Sequence, residues 1–185
     1  MVDAQDPRVA SSVVVRRLNA VEARDCLDGL AEVLFDCVDG GASVSYMAPF
    51  SRDDARGAFD PVIADVERGH RILLAAFRMD ELVGTVQLAH ARPPNQPHRA
   101  DVAKLLVHRS ARRQGAGRLL MERLEAEACD AGKTLLVLDT VTGGAAERLY
   151  ERLGWVKTGV IPKYALFPDG RPCDTTVFWK QPQCP

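Results

Sequence analysis

The segment Arg112-Arg113-Gln114-Gly115-Ala116-Gly117 constrains this chain more than any other. It joins an apolar, strand-like run ending near His108 to a helical repeat beginning at Gln114. Glycines at a strand-to-helix junction let the backbone approach an anion, while the free N–H groups and the positive end of the helix point at it. A pyrophosphate fits such a turn. The same residues also fit a turn that glycine merely eases, and a G-x-G spacing alone does not separate the two readings. Two nucleotide signatures are excluded. The dinucleotide pattern G-x-G-x-x-G would need a third glycine where Leu120 stands, and no Walker G-x-x-x-x-G-K-[ST] occurs.

The rest of the chain alternates strand and helix patterns around this loop. Val13-Val14-Val15 opens a strand, Asn19 is placed to cap a helix, and Leu27, Leu30, Ala31, Leu34 and Val38 recur at helical spacing until Gly40-Gly41 ends the run. A second helix is expected from Ser51, with Asp54 as its capping-box acid, to Gly69, kinked or broken by Pro61. Between them Gly40 to Met47 reads as a shaped loop. Arg71 to Phe77 and Leu82 to Ala89 form an antiparallel hairpin across Met79-Asp80-Glu81, and a proline-rich stretch, Arg92 to Pro97, leads to a strand over Asp101 to His108.

After the glycine loop, Ala116, Leu120, Leu124 and Ala128 mark one buried face of a helix that Gly132 closes. Leu135 to Leu138 is a continuous apolar run, the pattern of a strand buried on both faces and ending at Asp139. A short helix carries Ala146, Leu149, Tyr150 and Leu153 before Gly154, and strands over Trp155 to Ile161 and Thr175 to Lys180 flank a turn at Pro168-Asp169-Gly170. The order reads β-α-α-β-β-β-α-β-α-β-β. These 185 residues suit one domain, residues 13–185, behind a flexible N-terminus over residues 1–12.

Composition removes several functions. Lys and Arg number 24 against 25 Asp and Glu, so the chain lacks the basic field that nucleic-acid binding relies on. No run approaches the ~20 apolar residues of a membrane span, and the first dozen residues lack a signal-peptide core. Cys26, Cys37, Cys129, Cys173 and Cys184 are odd in number and hold no C-x-x-C pair, so they read as reduced thiols of a cytoplasmic protein. The four histidines show no ligand spacing, and no metal is expected.

The motif R-x-x-G-x-G following Leu105-Leu106-Val107 resembles the acetyl-CoA motif of the GNAT acetyltransferase superfamily. Ala146, Leu149, Tyr150 and Leu153-Gly154-Trp155 are similar to a second stretch of that family, and Gly143 stands where many members have Asn. Gly40 to Val44, Lys104-Leu105, Leu138-Asp139-Thr140 and Pro168 to Arg171 look like the tabtoxin-resistance type, which acetylates a β-lactam-containing amino-acid toxin. The resemblance implies an α/β fold, a mixed, splayed sheet of about seven strands flanked by about four helices. It implies that Leu105 and Val107, with Leu106 between them, offer backbone groups to the pantetheine arm of acetyl-CoA. It further implies that Arg112 and the amides of Arg113, Gln114, Gly115, Ala116, Gly117 and Arg118 face the pyrophosphate, and that a β-bulge opens the slot for the thioester.

Acetylating an amine needs a neutral nucleophile, a stabilised oxyanion and a proton for the leaving thiolate. Tyr150 matches the family position of the proton donor, and it also fits as a core tyrosine completing an apolar stripe. Asp101 and Asp139 stand where carboxylates could face the acceptor amine, although Asp101 reads equally well as a solvated strand-end charge. The expected acceptor is a small, amino-acid-like primary amine, with a peptide or protein amine as the rival and a silent acetyl-CoA-binding module as a third reading. Gly41 to Tyr46, Arg92 to Arg99 and Tyr164 to Arg171 are the expected walls of its site. Monomer and homodimer both remain open.

Overall fold

A computed structural model of the chain describes residues 13–184. The N-terminal segment expected to be flexible lies outside the described residues. Among the described residues, seven strands form one sheet: β1 (Val13–Leu18), β2 (Arg71–Arg78), β3 (Glu81–His90), β4 (Arg99–Val107), β5 (Leu135–Val141), β6 (Val156–Leu166) and β7 (Pro172–Lys180). Their spatial order is β1-β2-β3-β4-β5-β7-β6, and only the β4–β5 pair is parallel. Six α-helices among the described residues connect them: α1 (Ala20–Asp25), α2 (Leu27–Asp39), α3 (Arg52–Gly57), α4 (Asp60–Glu67), α5 (Ala116–Asp130) and α6 (Ala145–Arg152).

The extra helices come from two breaks. Asn19 caps the first helix as expected, in a reciprocal pair with Glu22, but the helix stops at Cys26 and restarts as α2. Ser51 and Asp54 likewise form a capping box, yet the second helix ends at Gly57 and a new one begins at Asp60. Pro61 does not kink a helix interior. It sits in the first turn of α4, where its missing N–H costs nothing, so the break falls before it.

Two apolar layers enclose the sheet. Leu120, Met121, Leu124 and Ala128 of α5 and Tyr150 of α6 pack with Ala100, Val102, Leu136 and Leu138 on one face. Leu30, Val33, Leu34 and Cys37 of α2, with Phe59 and Ile63, cover Leu73, Ala75 and Leu106 on the other. Val102 and Leu106 share a parity, so a regular strand would send both to one face. They face opposite layers because Lys104 and Leu105 together oppose a single β3 residue, Val86, and Lys104 takes a left-handed φ of 54°. This bulge turns β4 over within its own length.

The bulge also ends the pairing with β5. Arg99↔Leu135, Ala100↔Leu136 and Asp101↔Val137 are the only rungs between the two strands, which splay beyond them. Strand β5 departs from expectation in two ways. Leu136 and Leu138 are fully buried while Leu135 and Val137 are half-buried, and the strand continues past Asp139, an exposed residue, to Val141. The helices α1–α4 pack over β1–β4 and leave that face of β5 open.

The cysteines require a further correction. Cys129 on α5 and Cys184 in the C-terminal tail form a disulfide, with Cα atoms 5.4 Å apart, while Cys26, Cys37 and Cys173 are free. No C-x-x-C spacing announces this pair because its two halves lie 55 residues apart and meet only through the fold.

Candidate active site

The glycine loop leaves β4 through a short 3₁₀ turn, Arg109–Ala111, and enters α5 at Gly115. Arg113 and Gly115 both adopt left-handed backbone, with φ of 64° and 88°. Such a conformation turns successive N–H groups toward one side, a concavity suited to an anion. Gly117 follows in the first turn of α5, where a Cβ would lie 3.3 Å from Leu149 Cδ2 and 3.9 Å from Val107 Cγ2. Glycine there permits the close approach of α5 to α6 and β4.

The charge pattern of the helices bears on the two readings of this turn. Helices α1, α2, α3, α4 and α6 each carry an acid in the first turn, as the positive helix end favours. Helix α5 carries none, no side chain caps its first turn, and Arg118 adds positive charge there. A first turn without an acid or a side-chain cap leaves its N–H groups and positive end free for an anion.

Arg112 is engaged with β4 and α2. Its Nε donates to the Val107 carbonyl at 3.0 Å, and its Nη2 reaches Asp36 Oδ2 at 3.4 Å and Cys37 Sγ at 3.7 Å. Asp36, 3% exposed on α2, also accepts from the Arg109 backbone N–H at 2.9 Å and from the Arg109 guanidinium, and it lies 3.4 Å from His108 Nε2. One buried carboxylate thus gathers two guanidinium groups and an imidazole from the β4–α5 connection and fixes that connection to α2. Gln114 braces the same turn by donating to the Ser110 carbonyl at 2.9 Å.

Leu105 and Val107 stand beyond the last β4–β5 rung, on the stretch of β4 that β5 leaves unpaired. Leu106 pairs instead with Thr85 and packs under α2. Asp101 and Asp139 flank the opening of the split, on the same face of the sheet, since Asp101 is level with Val137 and Asp139 lies two residues on. Asp101 is 48% exposed and ion-paired to Arg99. Asp139 is exposed and has no salt-bridge partner among the described residues.

Tyr150 approaches from the other layer. It is 5% exposed and packs its ring 5.9 Å from Trp155 and 6.0 Å from Phe178. Burial pushes its phenol far above the ordinary value, and the Asp139 carboxylate pushes it the same way. The packing role and the proximity to Asp139 therefore coexist. Helix α6 is set by Glu147, which accepts from the Gly143 N–H, from Lys157 Nζ at 3.0 Å and from Thr176 Oγ1 at 3.0 Å. Gly143 has a φ of 79°, which Asn also tolerates, so its presence in place of Asn leaves this turn intact.

Two cavities adjoin α2. One, of about 470 Å³, is formed by Phe35 and Val38 of α2, by Gly41 and Pro49, and by Phe167 and Arg171 of the β6–β7 turn. The loop from Gly41 is joined to that turn by Ser43 Oγ donating to the Leu166 carbonyl at 2.7 Å and by Ala48 N–H donating to the Pro168 carbonyl at 2.9 Å. The second, of about 290 Å³, lies between Leu34, Tyr46, Phe59 and the β-strand residues Arg71, Gln87 and Lys104. The stretch from Arg92 to Arg99 lines neither. It is bonded through the His98 carbonyl to Thr134 and Leu135, at the paired end of β4 and β5 and away from the split.

Asp36 and Glu147 were absent from the sequence reading, Arg71 entered it only as the start of a strand, and Lys104 only within the tabtoxin-resistance resemblance. Two had a visible signal. Asp36 interrupts the apolar stripe of α2, and Lys104 interrupts an apolar strand, each a charge where burial is expected.

The family model for the acetyltransferase (GNAT) family matches residues 42–155. Solved structures superpose over nearly the whole chain. An N-acetyltransferase from Staphylococcus aureus Mu50 gives a TM-score of 0.77 at 18% identity, covering 94% of this chain and 100% of that one. The Salmonella typhimurium protein yncA, solved with its cofactor acetyl-CoA, gives 0.75 at 21% identity, covering 92% and 94%. A ribosomal-protein-alanine N-acetyltransferase from Brucella melitensis gives 0.74 at 20% identity, covering 91% and 99%. These likenesses establish a shared fold. The chain belongs to the GNAT family of acetyltransferases, whose acyl donor is acetyl-CoA.

Proposed function

We propose that the chain transfers the acetyl group of acetyl-CoA to the primary amine of a small, amino-acid-like molecule, as the tabtoxin-resistance type does. The observation that carries the reading is the acid-free, uncapped first turn of α5 beside a split that opens at Asp101 and Asp139. The amides of Arg113 to Arg118 hold the diphosphate, and the unpaired edge of β4 at Leu105 and Val107 holds the pantetheine arm. Arg112 serves by fixing the Val107 carbonyl and the loop to Asp36.

The acceptor enters on the open face of β5. Asp139 attracts its ammonium and takes a proton from it, directly or through water, with Asp101 contributing charge. The neutral nitrogen attacks the thioester carbon, the C–N bond forms and the C–S bond breaks. Tyr150 gives its phenolic proton to the departing thiolate, and the second proton shed by the acylated nitrogen returns through water to restore the phenol. Burial suits it to this role, since it keeps the phenol protonated. Transfer runs through a ternary complex without a covalent enzyme intermediate.

Acetylation of a peptide or protein amine is the second reading, and the likeness to the Brucella enzyme at 20% identity bears only on fold. Measuring CoA-thiol release with a panel of amino-acid-like amines and basic peptides tests the proposal. Transfer to peptides alone overturns the small-molecule reading. Acetyl-CoA binding without transfer to any amine leaves a binding module.

A further inference from the structure

The smaller cavity has a charge pattern that amine chemistry does not require. Arg71 and Lys104 both line it, and none of its lining residues is acidic. Around them stand the aromatic ring of Tyr46, the apolar Leu34 and Phe59, and Gln87, which is only 2% exposed.

Lys104 is held in place by neutral groups, and Arg71 by one neutral and one acidic partner. Lys104 Nζ donates to Ser45 Oγ at 2.8 Å and stands 5.7 Å from the centroid of the Tyr46 ring, with no carboxylate in salt-bridge range among the described residues. Arg71 Nη1 donates to Gln87 Oε1 at 2.6 Å, and Nη2 contacts Asp65 at 3.3 Å. Its Nε is buried and finds no acceptor among the described residues. A buried guanidinium N–H without an acceptor is costly, and the part of Arg71 that lines the cavity keeps a positive charge available to an anion there.

We propose that this cavity is the subsite for a carboxylate or similar oxyanion of the acceptor, held between Arg71 and Lys104. The enzyme's substrates are then small amines that also carry an acidic group. This inference rests on the acetyl-transfer reading above and narrows its substrate class.

Position supports it. Lys104 is the bulge residue of β4, three residues beyond Asp101, so its side chain leaves the strand where the split begins. Burial holds its ammonium below the ordinary value, Asp139 pushes it back up and Arg71 pushes it down. The two cations and the Asp139 carboxylate therefore feel one another. A zwitterionic acceptor matches that sequence of charges, with its acid end at Arg71 and Lys104 and its ammonium end at Asp139. A lysine side chain on a basic peptide would place positive charge against the same cations.

The test compares amines that differ only in the acid, such as glutamate against glutamine and α-amino acids against their primary amides, with rates referred to the free-amine concentration. The intact enzyme is expected to favour the acid-bearing member by at least about 10-fold, in line with hydrogen bonds to charged groups. Lys104→Met and Arg71→Gln are expected to collapse that preference toward unity, chiefly through KM, and Lys104→Arg to restore part of it. Calorimetric acetyl-CoA affinity serves as the folding control for each variant. Equal use of both members by the intact enzyme overturns the subsite, as does a preference that survives both substitutions. If no amine is acetylated, the transfer reading falls while the subsite is still decided. Glutarate titrated into the acetyl-CoA complex should bind the unsubstituted chain and not Lys104→Met, and failure to bind the unsubstituted chain overturns the subsite alone.

Discussion

Gly117 concentrates the cofactor argument in one residue. Its missing Cβ lets α5 approach Leu149, and the turn it occupies carries no acid. Gly117→Glu introduces bulk and a negative charge where the diphosphate is expected, and it should abolish acetyl-CoA binding measured by calorimetry on the folded variant. Unchanged affinity would remove the anion site. Tyr150→Phe keeps the ring contacts with Trp155 and Phe178 and deletes only the proton donor. It should lower kcat by about 10²-fold with acetyl-CoA affinity nearly intact. A variant with full turnover would leave Tyr150 a packing residue. Its raised phenol also fixes a pH limb. A donor ionising above its ordinary pKa of about 10 stays protonated throughout the neutral range, so activity should rise with pH as the amine deprotonates, with no falling limb below about pH 10. The two acids are separable by the same assay. Asp139, exposed and unpaired among the described residues, should lose roughly 10²-fold in kcat/KM as Asp139→Asn, while Asp101→Asn should cost less because Arg99 already engages that carboxylate. Equal, small effects of both substitutions would detach the aspartates from catalysis.

At the scale of elements, the connection between β4 and α5 is positioned by α2 through Asp36, although the two segments are distant in sequence. Asp36→Ala removes the acceptor of the Arg109 backbone N–H and the partner of Arg109 and Arg112. The cations it frees are about half exposed and can be solvated, so the stability loss should be about 1–3 kcal/mol by urea denaturation. Acetyl-CoA affinity should fall as well, because the loop loses its tether. Stability lost with affinity unchanged would make Asp36 a fold residue only. This contact also shows where the sequence was legible. Caps at Asn19 and Ser51, the strand runs, and the glycine turn are local patterns, and each stands within a few residues of its expected place. Breaks at Cys26 and before Asp60 escaped because helical periodicity persists across a short interruption. The left-handed φ of Lys104 escaped as well. A bulge is set by the competition between two neighbouring strands for β4, and no residue type announces it. The cavity walls from Gly41 and from the β6–β7 turn could be named as loops, but their joining through Ser43 and Pro168 is a tertiary fact.

Across the whole molecule the site is held by a sheet that is continuous on one side of the split and bridged only at its base. Strands β5, β7 and β6 form one half, β1 to β4 the other, and three β4–β5 rungs with the α5 layer join them. The C-terminal tail is fastened to the same α5 by Cys129–Cys184, after Lys180 at the end of β7 has donated to Glu125 of α5 at 2.7 Å. Both contacts anchor the outer half of the sheet to the helix whose first turn is the proposed anion site. Closing a loop of 55 residues restricts the unfolded chain and stabilises the folded one by about 2–4 kcal/mol. Reduction of the disulfide, or Cys184→Ser, should then lower Tm by about 5–15 °C for a chain of this size. The loss should leave acetyl-CoA affinity unchanged, since Cys129 lies twelve residues along α5 from Gly117, about 18 Å at the helical rise. Thermal unfolding with and without reductant, paired with calorimetry at a temperature where both forms are folded, measures both quantities. An unaltered Tm would mean the tail contributes nothing to the union of the two halves, and a loss of affinity would mean the far end of α5 communicates with the first turn.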